Sequence, residues 1–175
     1  MLIIFTGNGK GKTTAALGQA VRIMGRGKKA LIVQCIKGPW KSGEDFFRET
    51  FDIPKETFNI RKMGLGFVGI LGDTLPKEKH IEAAKSALAT FKEALESNKW
   101  DLIVLDEVNV AVSLGLLTVD EVLKVAENIP EEKLVVFTGR GAPQEFIDKA
   151  DLATEMREIK HPFADGKKAK ISIEF

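Results

Sequence analysis

Short runs of apolar residues, each about the length of a buried strand, recur along the chain. Several are continuous rather than alternating, which is typical of strands covered on both faces. The predicted strands are residues 2–5, 30–36, 58–61, 102–105 and 134–138, with further candidates at 153–159 and 170–174. The pattern therefore predicts a largely buried β-sheet.

Helical patterns separate these runs. Residues 76–97 place apolar side chains in a three-four rhythm opposite lysines and glutamates, which predicts an amphipathic helix. Its apolar positions are Ile81, Ala84, Leu88, Phe91 and Leu95. Three further helices are predicted. One spans residues 13–24, one begins at a capping box formed by Thr118 and Glu121, and one spans residues 142–149.

This alternation of strands and helices predicts an α/β fold in one domain spanning residues 1–175. The sheet should be mostly parallel with helices on both faces, as in RecA-like P-loop proteins, and the ligand site should lie at the carboxyl ends of the strands. Residues 37–73 interrupt the alternation with many glycines and prolines around one short helix and one short strand. Such a segment favours a lid or a second-substrate wall, with a flexible insertion as the alternative.

Composition and charge narrow the possible partners. The 175 residues include 26 basic and 25 acidic side chains, a net charge of +1, which predicts neither a nucleic-acid nor a membrane partner. One cysteine, Cys35, excludes an internal disulfide and favours a cytoplasmic location. No apolar run approaches the roughly 20 residues of a membrane-spanning helix, and the apolar start is too short for a signal sequence.

A glycine- and lysine-rich segment joins the first predicted strand to the first predicted helix. It reads Thr6-Gly7-Asn8-Gly9-Lys10-Gly11-Lys12-Thr13-Thr14, a variant P-loop with threonine at the first glycine position. The glycines let backbone amides face phosphate oxygens, and the helix adds its positive end. Lys12 supplies a point charge, and the Thr13 hydroxyl is placed to ligate Mg²⁺.

A second element of a nucleotide site follows the predicted strand at 102–105. Asp106 and Glu107 come directly after it, where a carboxylate can reach Mg²⁺ or its water shell. The P-loop and these carboxylates together predict a nucleoside triphosphate site with Mg²⁺.

The string Asn98-Lys99-Trp100-Asp101 matches the N-K-x-D signature that reads guanine in GTPases. Here it precedes the strand that ends at Asp106, whereas the guanine reader follows a later strand. We interpret it as the end of a helix, and ATP is the favoured nucleotide.

With these residues in hand, the chain resembles the P-loop corrinoid adenosyltransferases over nearly its whole length. The resemblance rests on residues 7–16, on Gln34-Cys35-Ile36-Lys37-Gly38, on Met63-Gly64-Leu65-Gly66-Phe67, on Leu105-Asp106-Glu107, on Thr138-Gly139-Arg140-Gly141, and on a tail motif, residues 155–163, with Gly166. The tail motif is the most specific of these, since motor ATPases and kinases do not carry it after a P-loop.

The resemblance implies that a cobalt(I) corrinoid attacks C5′ of ATP and expels triphosphate, in adenosylcobalamin biosynthesis or salvage. Lys10 and Lys12 would then act as catalytic residues by stabilising the charge that grows on the leaving group. The metal would be Mg²⁺, with Mn²⁺ as the alternative. A homodimer and a flavoprotein electron donor are also implied.

The same resemblance implies a set of site residues. Thr13 and Glu107 would ligate the metal with support from Asp106, while Phe67 and Met63 would meet the corrinoid, Phe67 by displacing the lower ligand of cobalt. The implied ATP-binding residues are Gly7, Asn8, Gly9, Lys10, Gly11, Lys12, Thr13, Thr14 and Arg22. For Arg22, a solvated helix position is the alternative.

Two features depart from the better-known relatives. Gly69 stands where they have a tryptophan, two residues beyond Phe67, and the chain begins at its first strand without their N-terminal extension. Trp40 is a candidate for the missing ring, with a surface or packing role as the alternative.

Other reactive residues have simpler interpretations. His80 is predicted on an exposed helical stretch, His161 is interpreted as a structural hydrogen-bonding residue, and Cys35 as a buried strand-end residue. Arg140 lies between two glycines and suits either a nucleotide contact or a turn.

Two rival functions stay open at this point: a motor-type P-loop ATPase, and an ATP-binding regulatory module without chemistry of its own.

Overall fold

The computed structural model describes residues 1–70 and 72–162. Six strands among these residues form one all-parallel sheet in the order β3-β2-β4-β5-β1-β6. The strands are β1 (Leu2–Thr6), β2 (Ala30–Gln34), β3 (Phe58–Lys62), β4 (Leu102–Asp106), β5 (Leu134–Thr138) and β6 (Leu152–Glu155). The predicted parallel sheet is confirmed, while the candidate strand at 170–174 and the motif residues Phe163 and Gly166 lie outside the described residues.

The predicted sixth strand is shorter than expected. It was predicted over residues 153–159 but ends at Glu155. Strand pairing ends there because the partner strand β1 ends at Thr6, and the Met156 carbonyl accepts a hydrogen bond from the Gly9 amide of the P-loop at 2.6 Å.

Six helices connect the strands among the described residues: α1 (Lys12–Met24), α2 (Gly43–Thr50), α3 (Lys77–Glu96), α4 (Val108–Ser113), α5 (Val119–Val125) and α6 (Gln144–Lys149). The capping box of α5 is confirmed, since the Thr118 amide donates to the Glu121 carboxylate at 2.8 Å and the Glu121 amide donates to the Thr118 hydroxyl at 3.2 Å. Helix α4 was not predicted, because six residues are too few to show a helical period.

Side chains of the four central strands, β1, β2, β4 and β5, alternate between two cores. In β1, Leu2 and Ile4 face the core beneath α3, α4, α5 and α6, whereas Ile3 and Phe5 face the core beneath α1 and α2. The predicted covering of both sheet faces is therefore confirmed. The predicted amphipathic face of α3 is also confirmed: Ala84, Leu88, Phe91 and Leu95 are buried and Ile81 packs beside them.

One prediction on α3 was wrong. His80, expected on an exposed stretch, is buried, and its Nε2 lies 2.9 Å from Asp73 Oδ2. A polar residue on the core side of a helix is tolerated when burial is accompanied by a hydrogen-bond partner, and that partner lies in a loop that the helical pattern does not reveal.

The strand order brings the predicted site together. Strand β5 lies between β1 and β4, so the residues after these three strands share one edge of the sheet. The string at residues 98–101 lies between the end of α3 and the start of β4, at the opposite edge, which confirms its interpretation as a helix end. Within the described residues, no helix combines the length and apolar character needed to cross a bilayer.

Candidate functional site

Lys12 folds back over the P-loop, which we define as residues 6–14. Its ammonium donates hydrogen bonds to the carbonyls of Gly7, at 2.8 Å, and Gly9, at 2.7 Å. The residue is only 7% exposed. Burial lowers the pKa of Lys12, and the charge of Glu107 opposes this effect. The ammonium is thus held at the amino end of α1. The positive end of the helix and the charge of Lys12 both favour the binding of phosphate.

The P-loop is braced by the segment that follows β6. The Met156 amide donates to the Thr6 carbonyl at 2.8 Å, and a Cβ on Gly7 would lie 2.5 Å from the Met156 oxygen. Gly7 also has a φ of +93°, which favours glycine. The beginning of the tail motif therefore supports the phosphate loop from below.

Asp106 is the hydrogen-bonding centre of the site. It is fully buried, and its Oδ1 accepts from the hydroxyls of Thr13, at 2.8 Å, and Thr138, at 2.6 Å. Its Oδ2 accepts from the amide of Gln34 at 3.0 Å. Because Thr13 donates its proton to Asp106, the lone pairs of the Thr13 oxygen are left for a cation.

Glu107 has a backbone conformation that few non-glycine residues adopt, with φ 61° and ψ 23°. Its amide donates to the Thr138 hydroxyl at 2.9 Å, and its Oε2 is buried with no hydrogen-bond partner in the described part of the chain. Burial and then the charge of Asp106 raise the pKa of Glu107 to about 7. A buried carboxylate oxygen without a partner, on a residue that lines the same cleft as Thr13, fits a hard divalent cation.

A cleft of about 610 Å³ opens above these residues. Glu107, Lys37, Arg140 and His161 line it together with the P-loop. Its apolar wall comes from α1, α2 and β3 through Leu17, Val21, Phe47 and Phe58. A polar phosphate end joined to an apolar end is the form expected for a nucleotide pocket.

An ion pair that the sequence did not predict forms another wall of the cleft. Lys37 Nζ lies 2.9 Å from Glu44 Oε1 at the amino end of α2. Burial by itself would lower the pKa of Lys37, but the bond to Glu44 and the charge of Asp106 raise it overall. The available signal was the position of Lys37, three residues beyond the end of β2 at the carboxyl edge.

Two aromatic side chains are exposed in the segments that follow β2 and β3. Trp40 is 62% exposed and Phe67 is 52% exposed, with ring centroids 6.4 Å apart. The indole of Trp40 lies against the backbone of two glycines: a Cβ on Gly66 would lie 2.6 Å from the ring, and one on Gly38 would overlap it. The structure thus brings Phe67 and Trp40 together.

Comparison with known proteins decides the family. The sequence profile described as "ATP:corrinoid adenosyltransferase BtuR/CobO/CobP" matches residues 1–175. The chain belongs to this ATP:corrinoid adenosyltransferase family. The adenosyltransferase is 37% identical to a corrinoid adenosyltransferase of Escherichia coli, over all of this chain and 85% of the relative. It is 36% identical to the corrinoid adenosyltransferase CobA of Salmonella typhimurium and 38% identical to one of Pseudomonas aeruginosa, over 85% and 83% of those chains.

Family membership confirms the predicted function. The adenosyltransferase is an enzyme with ATP and a corrinoid as substrates, which favours this prediction over the motor ATPase and the regulatory module.

The predicted nucleotide residues of the adenosyltransferase fall into two groups. The cleft is lined by Asn8, Gly9, Lys10, Gly11, Lys12, Thr13 and Thr14. Gly7 and Arg22 are not part of the lining. Gly7 lies on the side of the P-loop that packs against Met156, and Arg22 is exposed in the last turn of α1.

Other predicted residues of the adenosyltransferase are placed as follows. Arg140 and His161 both line the cleft. Met63 packs partly buried against the core, and its amide donates to the Gln34 carbonyl at 3.0 Å. Cys35 is buried just after β2, as predicted.

The burial of Cys35 leads to a prediction about its reactivity. Burial, followed by the charges of Asp106 and Glu107, raises the pKa of the Cys35 thiol far above its ordinary value. Because the thiolate is the reactive form, we expect no alkylation by iodoacetamide in the native protein at neutral pH and complete alkylation in urea. Mass spectrometry of intact protein measures this, and rapid labelling of the native chain would contradict the buried placement.

The bracing of the P-loop leads to a second prediction. Gly7→Ala should destabilise the adenosyltransferase by about 1–3 kcal/mol and weaken ATP binding, because the new methyl group meets the Met156 carbonyl at a left-handed position. Gly18→Ala, in the middle of α1 with open space around its Cβ, should instead stabilise by about 0.5–1 kcal/mol. Thermal unfolding of the two variants checks both signs, and equal midpoints would contradict the packing described.

Proposed function

We propose that this enzyme transfers the 5′-deoxyadenosyl group of ATP to the cobalt(I) of a corrinoid, in adenosylcobalamin biosynthesis or salvage. In this reaction the cobalt electron pair forms a bond to C5′, the bond from C5′ to the phosphate-bearing oxygen breaks, and that electron pair leaves with intact triphosphate. The observation that carries the proposal is that the phosphate cleft and the exposed Phe67, which follows β3, both lie at the carboxyl ends of strands of the same parallel sheet.

The protein's part is to hold the triphosphate as its negative charge grows. The ammonium of Lys12 lies at the amino end of α1, and Lys10 lines the same cleft. Positive groups fixed in advance stabilise the transition state more than the ground state, because the charge on the leaving group is largest when the bond is breaking. Lys12 and Lys10 are therefore the proposed catalytic residues.

We also propose that Thr13 and Glu107 hold Mg²⁺, or Mn²⁺ in its place. Asp106 acts through Thr13 by accepting its hydroxyl proton. Within residues 1–70 and 72–162, no group of three or more His, Cys, Asp or Glu side chains gathers as a metal site. Magnesium needs no such group, because it is commonly held by one or two carboxylates with waters and substrate phosphates. When bound, it neutralises part of the charge on the triphosphate.

The nucleoside would lie toward the apolar wall of the cleft, beside Val21 and Phe47. Arg22, on the turn of α1 that follows Val21, is the proposed nucleotide contact at the rim. Gly7 contributes the left-handed backbone conformation with which the P-loop begins to turn.

For the corrinoid, Phe67 is the proposed contact, with Met63 supporting the loop from its partly buried position. Trp40 supplies a second ring next to Phe67, 6.4 Å away between centroids. Gly69 offers no ring, so this pair is the aromatic surface that we assign to the corrinoid.

The remaining features of the proposal come from the family resemblance. We propose that residues 1–175 act as one domain, that the enzyme is a cytoplasmic homodimer, and that a flavoprotein supplies the electron that generates cobalt(I). Light scattering of the purified protein tests the dimer, and a monomer at working concentration would refute it.

An anaerobic assay tests the reaction. Purified enzyme is mixed with chemically reduced cobalamin, ATP and Mg²⁺, and the visible spectrum of the cobalt is followed. We expect a light-sensitive adenosyl-corrinoid spectrum that requires both ATP and enzyme. An unchanged corrinoid spectrum with release of orthophosphate would instead support a P-loop ATPase.

A further inference from the structure

A single carboxylate fastens the chain that follows Phe67. Asp73 Oδ2 accepts a hydrogen bond from the Gly69 amide at 2.8 Å, and its Oδ1 accepts from the Leu75 amide at 3.0 Å. The same Oδ2 lies 2.9 Å from Nε2 of His80, which donates to it. One side chain therefore joins three points that are distant in sequence by up to 11 residues, from Gly69 to His80.

The attachment point on the helix is buried. The side chain of His80 is 3% exposed and that of Asp73 is 7% exposed. His80 lies in the first turns of α3, whose next turns bury Ala84 and Leu88 in the main core. Hydrogen bonds from the two backbone amides are the main reason that the pKa of Asp73 is held below its ordinary value. The pair thus connects a surface loop to the core.

The loop needs such a connection because of its glycines. We call residues 63–70 the aromatic loop. Gly66 and Gly69, on either side of Phe67, have φ values of +108° and +69°. Glycine loses more conformational freedom on ordering than any other residue, so an exposed loop with two of them requires fixed ends.

Each end of the aromatic loop has its own tie. At the first end, the Gly66 amide donates to the Ile36 carbonyl at 2.9 Å. At the second end, Asp73 holds the Gly69 amide. Phe67 lies between them and is 52% exposed, so its direction depends on the backbone of the loop and on the neighbouring ring of Trp40.

We propose that Asp73 and His80 are positioning residues that hold Phe67 in the orientation the corrinoid requires, an inference that rests on the proposed function. Both side chains are almost fully buried, so they would act through the loop and not by contact with a substrate. The nucleotide cleft does not include them, so their loss should impair the use of the corrinoid and leave the use of ATP unchanged.

Steady-state kinetics of Asp73→Ala test this role with cobalamin and ATP varied separately. We expect the KM for cobalamin to rise by roughly tenfold and the KM for ATP to stay within about twofold, because small misplacements of a contact group lower productive binding. His80→Gln should have a KM for cobalamin close to that of the wild type, because the side-chain amide of Gln can donate to Asp73. His80→Ala should instead behave like Asp73→Ala.

Glu121→Ala is the matched control. Glu121 is also a carboxylate that accepts a backbone amide and a neighbouring hydroxyl at the start of a helix, but it lies outside the cleft and the aromatic loop. We expect it to change neither KM. Amide hydrogen exchange adds an independent readout: the Gly69 and Leu75 amides should exchange faster in Asp73→Ala than in wild type. If that variant does not fold, the two His80 variants provide the comparison.

Each result decides a different claim. Failure of the wild type to adenosylate cobalamin would refute the proposed function. Normal wild-type turnover with an unchanged KM for cobalamin in the folded Asp73 or His80→Ala variant would refute the positioning role alone. Equal rises of both KM values would also overturn it, because they would indicate a general structural defect.

Discussion

Replacing Lys12 with alanine is expected to lower kcat by roughly 30- to 1,000-fold, equivalent to about 2–4 kcal/mol on the barrier. The ammonium is held by the carbonyls of Gly7 and Gly9 at the amino end of α1, so no rearrangement is needed when charge develops on the triphosphate. Single-turnover formation of adenosyl-corrinoid under saturating ATP and Mg²⁺ measures the loss.

Lys29→Ala is the control for the loss of a lysine charge. Lys29 is exposed at the start of β2, on the edge of the sheet opposite the cleft, and its contacts to Asp101 and Leu102 are made by the backbone. We expect its rate to stay within about twofold of wild type, as for most surface substitutions. A Lys12→Ala enzyme that kept more than half of the wild-type rate would contradict the catalytic assignment.

Glu107→Gln is expected to lower the rate by about 100-fold or more and to raise the Mg²⁺ concentration needed for half-maximal rate. The carboxylate oxygen Oε2 is buried without a partner in the described residues, which is favourable only when a cation is bound. Titration of the rate with Mg²⁺ measures the effect. An unchanged Mg²⁺ requirement would exclude Glu107 as a metal ligand.

Glu107→Gln should not lower the thermal stability of the nucleotide-free protein. A buried charge that lacks a hydrogen-bond partner destabilises the folded state, so the neutral amide of Gln should leave the unfolding midpoint unchanged or raise it by a few degrees. Glu131→Gln, at an exposed position, serves as the control with normal activity and an unchanged midpoint. A loss of activity combined with retained stability distinguishes a functional carboxylate from a structural one.

The sequence predicted the parts of the site that are local. The P-loop was recognisable because its glycines and lysines occupy fixed positions between one strand and one helix. Asp106 and Glu107 were recognisable because carboxylates that follow a buried strand reach the edge where ligands bind.

What depends on tertiary contacts was not predictable. The bond from Thr138 to Asp106 requires β4 and β5 to be neighbours, and the pair of Lys37 and Glu44 requires α2 to fold over the cleft. His80 was misplaced for the same reason, since its partner Asp73 lies outside the helix whose pattern was interpreted. Helix α4 was missed because its buried residues span less than two turns.

In the proposed reaction, the P-loop holds a triphosphate that departs in one piece. Phosphorus NMR of an anaerobic turnover, with ATP, Mg²⁺ and reduced cobalamin, tests it most directly. We expect one inorganic triphosphate for each adenosyl group transferred to cobalt. Formation of ADP and orthophosphate, with no carbon bound to cobalt, would contradict it.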